Sequence, residues 1–236
     1  MAAPVDIAPH HVTPWIDCPI PRTIGAASDM PEPTVHIVDD DPALRAALTR
    51  LCRSAGLAAV AHSDSAELLV SRLRQAPECI LLDLRLPGQS GLTVQEALRD
   101  AGCTVPIIFL TGYGTIPITV RAMRGGAVEF LTKPVSDTVV LDAIHRALAI
   151  DAAALEAGRA QDDLSRRLAS LTPRELALLR CAIGGLMNKQ IAAELGITEI
   201  TAKVHKRRVM EKMRARSLAD LVLMAHQLGI EATRQR

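Results

Sequence analysis

Four places in the chain put reactive side chains at the ends of short apolar runs. Asp39, Asp40 and Asp41 follow residues 35–38, Asp83 follows 79–82, Thr111 follows 106–110, and Lys133 lies just after 129–131. Crowded carboxylates repel and require a cation, and oxygen ligands of this kind suit a hard ion such as Mg2+. A carboxylate beside such an ion can attack a phosphoryl group, because the metal offsets the charge of the approaching oxygens. A hydroxyl (Thr111) and an ammonium (Lys133) are the partners those oxygens would need. Each element is weak alone. Asp41 before Pro42 reads as a helix cap, a lone acid after a strand is usually turn chemistry, and Thr111-Gly112 or Lys133-Pro134 can be a turn. Their recurrence at the ends of successive strands is what points to one site.

The elements that must position them alternate in period. Strands are expected over 35–38, 57–61, 79–82, 106–110 and 129–131. Helices are expected over 42–55, 65–74, 93–99, 116–124 and 137–149. In the first helix Leu44, Leu48 and Leu51 share one face. Five strands alternating with five helices imply right-handed crossovers, hence a five-stranded, doubly wound parallel sheet of the α/β class. Such sheets place the working site outside the carboxyl ends of the strands. Residues 1–33 hold seven of the 14 prolines, show no hydrophobic period, and are expected to be a disordered extension.

Beyond residue 150 the pattern turns wholly helical. Residues 151–167 are Ala-rich and charged, as suits a helical linker, and 168–236 read as a small all-α domain of four helices. Thr172, Pro173 and Glu175 compose a capping box opening a helix that should stop at Gly184-Gly185. Asn188 is expected to cap the second helix, Gly196 to end it in a left-handed conformation, Thr198 to cap the third, and Ser217 with Asp220 to open the fourth. The short turn between the second and third fits a helix-turn-helix. The third carries Lys203, His205, Lys206, Arg207, Arg208 and Lys212, with Ile200, Val204 and Met213 available to pin it to its neighbours.

Charge supports the division. Residues 34–150 hold 11 Lys and Arg against 12 Asp and Glu, a net of −1, whereas 166–216 hold 12 against 4, a net of +8. A near-neutral front and a strongly basic back suit a polyanionic partner for the back half. The five cysteines are scattered without Cys-x-x-Cys spacing, which argues for a reducing, cytoplasmic setting. No apolar run is long enough to span a bilayer, so no membrane partner is expected.

The segments VHIVDDDPALR, LLDLRLPGQSGL, IIFLTGYG and AVEFLTKP resemble the four signature segments of response-regulator receiver domains. That resemblance covers residues 34–150. It implies Asp83 as phosphoacceptor, with Thr111 and Lys133 completing the reactive set. It implies Asp39, Asp40, Asp83 and the backbone carbonyl of Arg85 as Mg2+ ligands, Thr111 and Phe130 as a switch pair, and a cis peptide at Lys133-Pro134.

The stretch LTPRELALLRCAIGGLMNKQIAAELGITEITAKVHKRRVMEKMRARSLADLV resembles the LuxR-type helix-turn-helix, and its union with a receiver resembles the FixJ/NarL group. The resemblance implies Lys203, Val204 and Arg207 toward base edges and Lys206 near the backbone. Arg208 and Lys189 are well placed for phosphates. Ala202 and Arg214 depart from the family pattern, which has Val and a small residue there. The implied function is a phosphorylation-dependent, DNA-binding transcriptional regulator. Its implied partners are a sensor histidine kinase, promoter duplex and RNA polymerase, and it is expected to form a homodimer on phosphorylation.

Two other classes compete. An aspartyl phosphohydrolase would want a second acid two residues after the nucleophile, where this chain has Arg85, so an enzyme is not expected. A regulator acting on RNA or protein is separable by comparing duplex DNA with RNA in a gel shift.

Overall fold

The computed structural model describes residues 32–64 and 76–233. The helix expected over 65–74 and nearly all of the 1–33 extension lie outside the described residues. Strand β1 (Thr34–Val38) leads into helix α1 (Pro42–Ser54), then β2 (Ala58–His62). β3 (Glu78–Leu82) is followed by a hairpin of β4 (Arg85–Leu86) and β5 (Gln89–Ser90), then α2 (Gly91–Asp100). β6 (Ile107–Thr111), α3 (Ile116–Arg124), β7 (Glu129–Thr132) and α4 (Asp137–Ala169) follow. Helices α5 (Pro173–Ile183), α6 (Asn188–Leu195), α7 (Glu199–Met213) and α8 (Leu218–Gln227) complete the order.

The five main strands are parallel in the order β2-β1-β3-β6-β7. β3 and β6 are central and covered on both faces, which is why they read as unbroken apolar runs, whereas edge strand β2 leaves Val60 exposed. Alternation sends Val35, Ile37, Leu81, Ile108 and Leu110 to one face with Ile144 of α4. Val38, Ile80, Leu82 and Phe109 go to the other, with Leu98 and Ala122. The chain leaves β1 outward to β2 and then crosses back to β3. The crevice of this switch point therefore lies at the carboxyl ends of β1 and β3.

Local signals explain most boundaries. Asp41 caps α1, accepting from the amides of Ala43 at 2.8 Å and Leu44 at 3.4 Å, with Pro42 at the first helical position. Thr172 accepts from the amide of Glu175, whose carboxylate accepts in return from the Thr172 amide at 2.8 Å. Gly196 ends α6 with φ 64°, the left-handed geometry a residue without Cβ adopts freely. Thr198 caps α7 and Ser217 caps α8, although Asp220 reaches back to the amide of Arg216 rather than that of Ser217.

One expectation needs correction, and two features go beyond what the sequence reading contained. Asn188 does not cap α6. Met187 holds that position, its amide donating to Gln190 Oε1 at 2.8 Å, and the Asn188 Oδ1 is buried without a partner. The hairpin of β4 and β5 was not expected, being two residues per strand and too short for a period to register. The helix expected over 137–149 and the helical linker are one helix, α4, of 33 residues. Val140, Ala143, Ile144, Ala147 and Leu148 pack its first half on the sheet, and Leu164 joins the core of α5–α8. Between them the fully buried Asp151 carboxylate accepts from the amide of Glu78 at 2.8 Å, tying the middle of α4 to the start of β3.

Candidate functional site

Register brings the acids together. Val38 pairs with Leu82, so the next residues, Asp39 and Asp83, emerge side by side from adjacent strands. One carboxylate oxygen from each of Asp39, Asp40 and Asp83 lies within 4.8 Å of the others. Asp39 is buried at 3% exposure and Asp83 at 9%, while Asp40 is open to solvent. Asp83 Oδ1 accepts from the amides of Leu84 at 2.6 Å and Arg85 at 3.4 Å, leaving Oδ2 toward Lys133. The Lys133 Nζ donates to Asp39 Oδ2 at 2.8 Å and Asp83 Oδ2 at 3.4 Å. One ammonium against three carboxylates leaves two negative charges, and such an all-oxygen set fits a hard divalent ion. The Lys133-Pro134 peptide is cis.

Thr111 ends β6 fully buried, its hydroxyl accepting from the amide of Tyr113 at 3.3 Å. Phe130 is half-buried on β7, its ring 5.8 Å from that of Phe109. Arg85 begins β4, two residues after Asp83, with its guanidinium 3.2 Å from the centroid of Tyr113.

On α7 the buried positions are Ala202, Val209 and Met213. Ile200 is 79% exposed and Val204 46%, so neither pins the helix. That expectation is corrected, and the reason is the phase of the helix: positions 202, 209 and 213 share one side, 200 and 204 the opposite one. Lys203, Arg207 and Arg208 are exposed, and Lys206 is half-buried. Arg207 Nε donates to Glu211 Oε1 at 2.8 Å, one turn on. Lys212 does not belong to the outward basic face. Its Nζ donates to Glu175 Oε2 at 2.6 Å and to the carbonyl of Ser170 at 3.0 Å, holding α7 against the cap of α5. Lys189 is exposed at the start of α6.

Family comparison assigns both halves. Residues 35–145 match the response regulator receiver domain, and 169–225 match the bacterial regulatory proteins of the luxR family. The chain is 50% identical over 198 residues to nodulation protein W of Bradyrhizobium diazoefficiens, covering 84% of this chain and 87% of that protein. It is 40% identical over 205 residues to the transcriptional regulatory protein FixJ of Azorhizobium caulinodans, covering 85% and 96%. The solved structure of the response regulator StyR superposes with a TM-score of 0.77 at 45% identity, covering 84% of this chain and all of that one. The chain belongs to the two-component response regulators. With its LuxR-type helix-turn-helix it is a DNA-binding regulator of transcription. No helix among the described residues is long and apolar enough to cross a membrane.

Several residues around the regulator's pocket escape a reading by residue type. Arg45 Nη1 donates to the carbonyl of Asp39 at 2.6 Å, bracing the loop after β1. A Cβ on Gly91 would stand 2.3 Å from the carbonyl oxygen of Asp83, so only glycine permits α2 to begin against that loop. A Cβ on Gly114 would meet Thr132 at 2.8 Å and the Phe130 ring at 3.0 Å. Both glycines lie inside the quoted segments LLDLRLPGQSGL and IIFLTGYG, but residue type does not tell which neighbours they admit. Elsewhere burial raises the thiol of Cys79 to about 12 and that of Cys52 to about 11, which keeps both protonated.

Proposed function

We propose that the regulator takes a phosphoryl group on Asp83, within a receiver spanning 34–150. That receiver would control, through a linker over 151–167, a DNA-binding domain over 168–236. One observation carries the reading: the Oδ2 of Asp83, which takes no backbone amide, accepts from the Lys133 ammonium beside two further carboxylates. In the transfer, Asp83 Oδ2 attacks phosphorus, the O–P bond forms, and the P–N bond of a kinase phosphohistidine breaks, its electron pair staying on the ring nitrogen, so that a neutral imidazole leaves with the proton already on its other nitrogen. Lys133 and Thr111 are the donors for the phosphoryl oxygens. Asp39, Asp40, Asp83 and the Arg85 carbonyl would hold Mg2+, which when bound neutralises charge developing on those oxygens.

Phosphorylation places a group of roughly −1.5 to −2 charge where the Asp83 carboxylate carried −1, and it adds new acceptor oxygens at one point. Thr111 moves toward it, Phe130 turns inward, and the surface of α3 and β7 changes to favour a homodimer. The dimer binds promoter duplex and acts on RNA polymerase in the cytoplasm. The protein is not an enzyme with turnover, because the position two after Asp83 is Arg85 rather than a proton-donating acid. On DNA, Lys203, Val204 and Arg207 face base edges, while Lys206, Arg208 and Lys189 meet phosphates. The exposure of Lys203, Val204 and Arg207 on α7 supports this orientation.

Labelling by a small phosphodonor tests the assignment. Wild type should take label only with Mg2+, and Asp83→Asn should take none. Asp40→Ala should fail through loss of metal. Label persisting on Asp83→Asn would move the acceptor elsewhere.

A further inference from the structure

A second charged site lies away from the acidic pocket and off the outward face of α7. Arg167 near the end of α4, Arg214 just after α7, and Arg216 with Ser217 at the start of α8 line one concavity of about 620 Å³. Asp220 is the single acid among its lining residues, and its Oδ2 already accepts from the Arg216 amide at 2.9 Å. With Arg167 paired to Asp163 and Asp220 the single lining acid, the three guanidiniums leave a net charge of +1 at a concave surface.

The three arginines differ in what holds them. Arg167 donates to the carbonyl of Met213 at 3.2 Å and pairs with Asp163, yet its Nε is buried without a partner. It is fixed in place, and what it offers the concavity is charge rather than that buried donor. The side chains of Arg214 and Arg216 have no hydrogen bond or ion pair among the described residues, and both are exposed. Arg214 is also the one described residue other than glycine with positive φ, at 54°. A β-carbon is disfavoured there, and Gly or Asn would close α7 more easily. Helix termination alone therefore does not account for an arginine at this position. The first amides of α8 add partial positive charge on the same side.

We infer that Arg167, Arg214 and Arg216 form a phosphate-binding site at the junction of α4, α7 and α8. Guanidiniums present paired donors in the planar geometry that phosphate oxygens accept. The phosphate comes from one of two sources: the backbone of bound duplex, or a free phosphate compound seated in the concavity. A site made jointly by α4 and the α7–α8 turn also ties anion binding to how α4 meets the helical domain.

The test uses the full chain and the double variant Arg214→Asn/Arg216→Gln, since Asn tolerates the left-handed conformation. Two readouts separate the sources. If the duplex supplies the phosphate, the slope of log affinity against log salt on random DNA should flatten by about two units. If a free phosphate does, inorganic pyrophosphate should raise the melting temperature of wild type at constant ionic strength, and the double variant should lose that rise. The duplex arm rests on DNA binding itself, which Lys206→Ala probes separately. A double variant with an unchanged salt slope and an unchanged pyrophosphate response overturns the site. Should the double variant melt early, Arg216→Gln alone carries the same test with about one unit of slope. No change on either readout from that variant likewise overturns the proposal.

Discussion

The Arg85 guanidinium lies 3.2 Å from the centroid of the Tyr113 ring, joining the loop that leaves Asp83 to the loop that leaves Thr111. The two loops carry the proposed acceptor and the hydroxyl that answers it, so the stack limits how far they separate. Tyr113 is 56% exposed, a setting in which a cation–π contact is worth about 0.5–1 kcal/mol. Tyr113→Ala should therefore shorten the lifetime of label on Asp83 by roughly 2–5-fold, taking tenfold as about 1.4 kcal/mol. Tyr113→Phe keeps the ring and should behave as wild type. Chasing label from the three proteins decides it, and equal lifetimes would deny the stack any part in the pocket.

Gly91 should tolerate no side chain. Its Cβ would meet backbone, not a flexible side chain, at 2.3 Å, so α2 or the Asp83 loop must move. Overpacking of this kind costs about 1–3 kcal/mol. Gly91→Ala should lower the denaturant midpoint and slow phosphorylation together. Gly88→Ala, where nothing lies within 4 Å but φ is +77°, should lower stability while leaving the phosphorylation rate near wild type.

The cap of α5 should make part of the stability acid-sensitive. Lys212 first, and then the amide of Thr172, hold the Glu175 carboxyl at about 2, below its ordinary 4.5. A carboxyl lowered on folding contributes stability that is fully present above its unfolded value and is lost as pH falls through the folded one. The contribution should hold above about pH 4.5 and vanish toward pH 2. Glu175→Gln should be less stable than wild type at pH 7, with the two curves converging in acid. Melting followed against pH checks this, and a constant gap would assign the loss to packing instead.

Arg207 and Lys206 should separate sequence reading from phosphate attraction. Arg207→Ala should lower affinity for the true site by about 1–3 kcal/mol relative to random duplex. Lys206→Ala should weaken both about equally and flatten the salt slope by about one unit. Because Glu211 holds Arg207 Nε at 2.8 Å, Glu211→Ala should alter site preference without removing a positive charge. Affinity against salt on both duplexes measures all three. Indistinguishable behaviour of the first two variants would reverse the orientation of α7.

Thr111→Ala should leave Asp83 able to take label yet weaken the shift from monomer to dimer. A ligand or modification moves an equilibrium only through contacts that differ between the states, and Thr111 is the proposed differential contact. Sedimentation with and without a phosphoryl mimic reads the outcome; equal dimer yields would remove Thr111 from the switch.

Much of this was written along the chain. The apolar runs ending in Asp39, Asp83 and Thr111 specify strands that deliver those residues to one edge, because side-chain alternation and right-handed crossovers leave few other arrangements. The caps at Asp41, Thr172 and Thr198 likewise follow from local hydrogen bonding, which needs only residues two or three apart. Tertiary packing decided the rest. Residue type favoured Ile200 and Val204 as the inner face of α7, but small Ala202 admits the close approach of neighbouring helices, and that choice turns both larger side chains outward. The same rotation carries Lys212 away from the basic face to Glu175. Arg85 on Tyr113, Asp151 on the Glu78 amide and the arginines around one concavity join residues far apart in sequence. A periodicity fixes which positions share a side of an element. What that side meets depends on the neighbouring surfaces, and those exist only once the chain has folded.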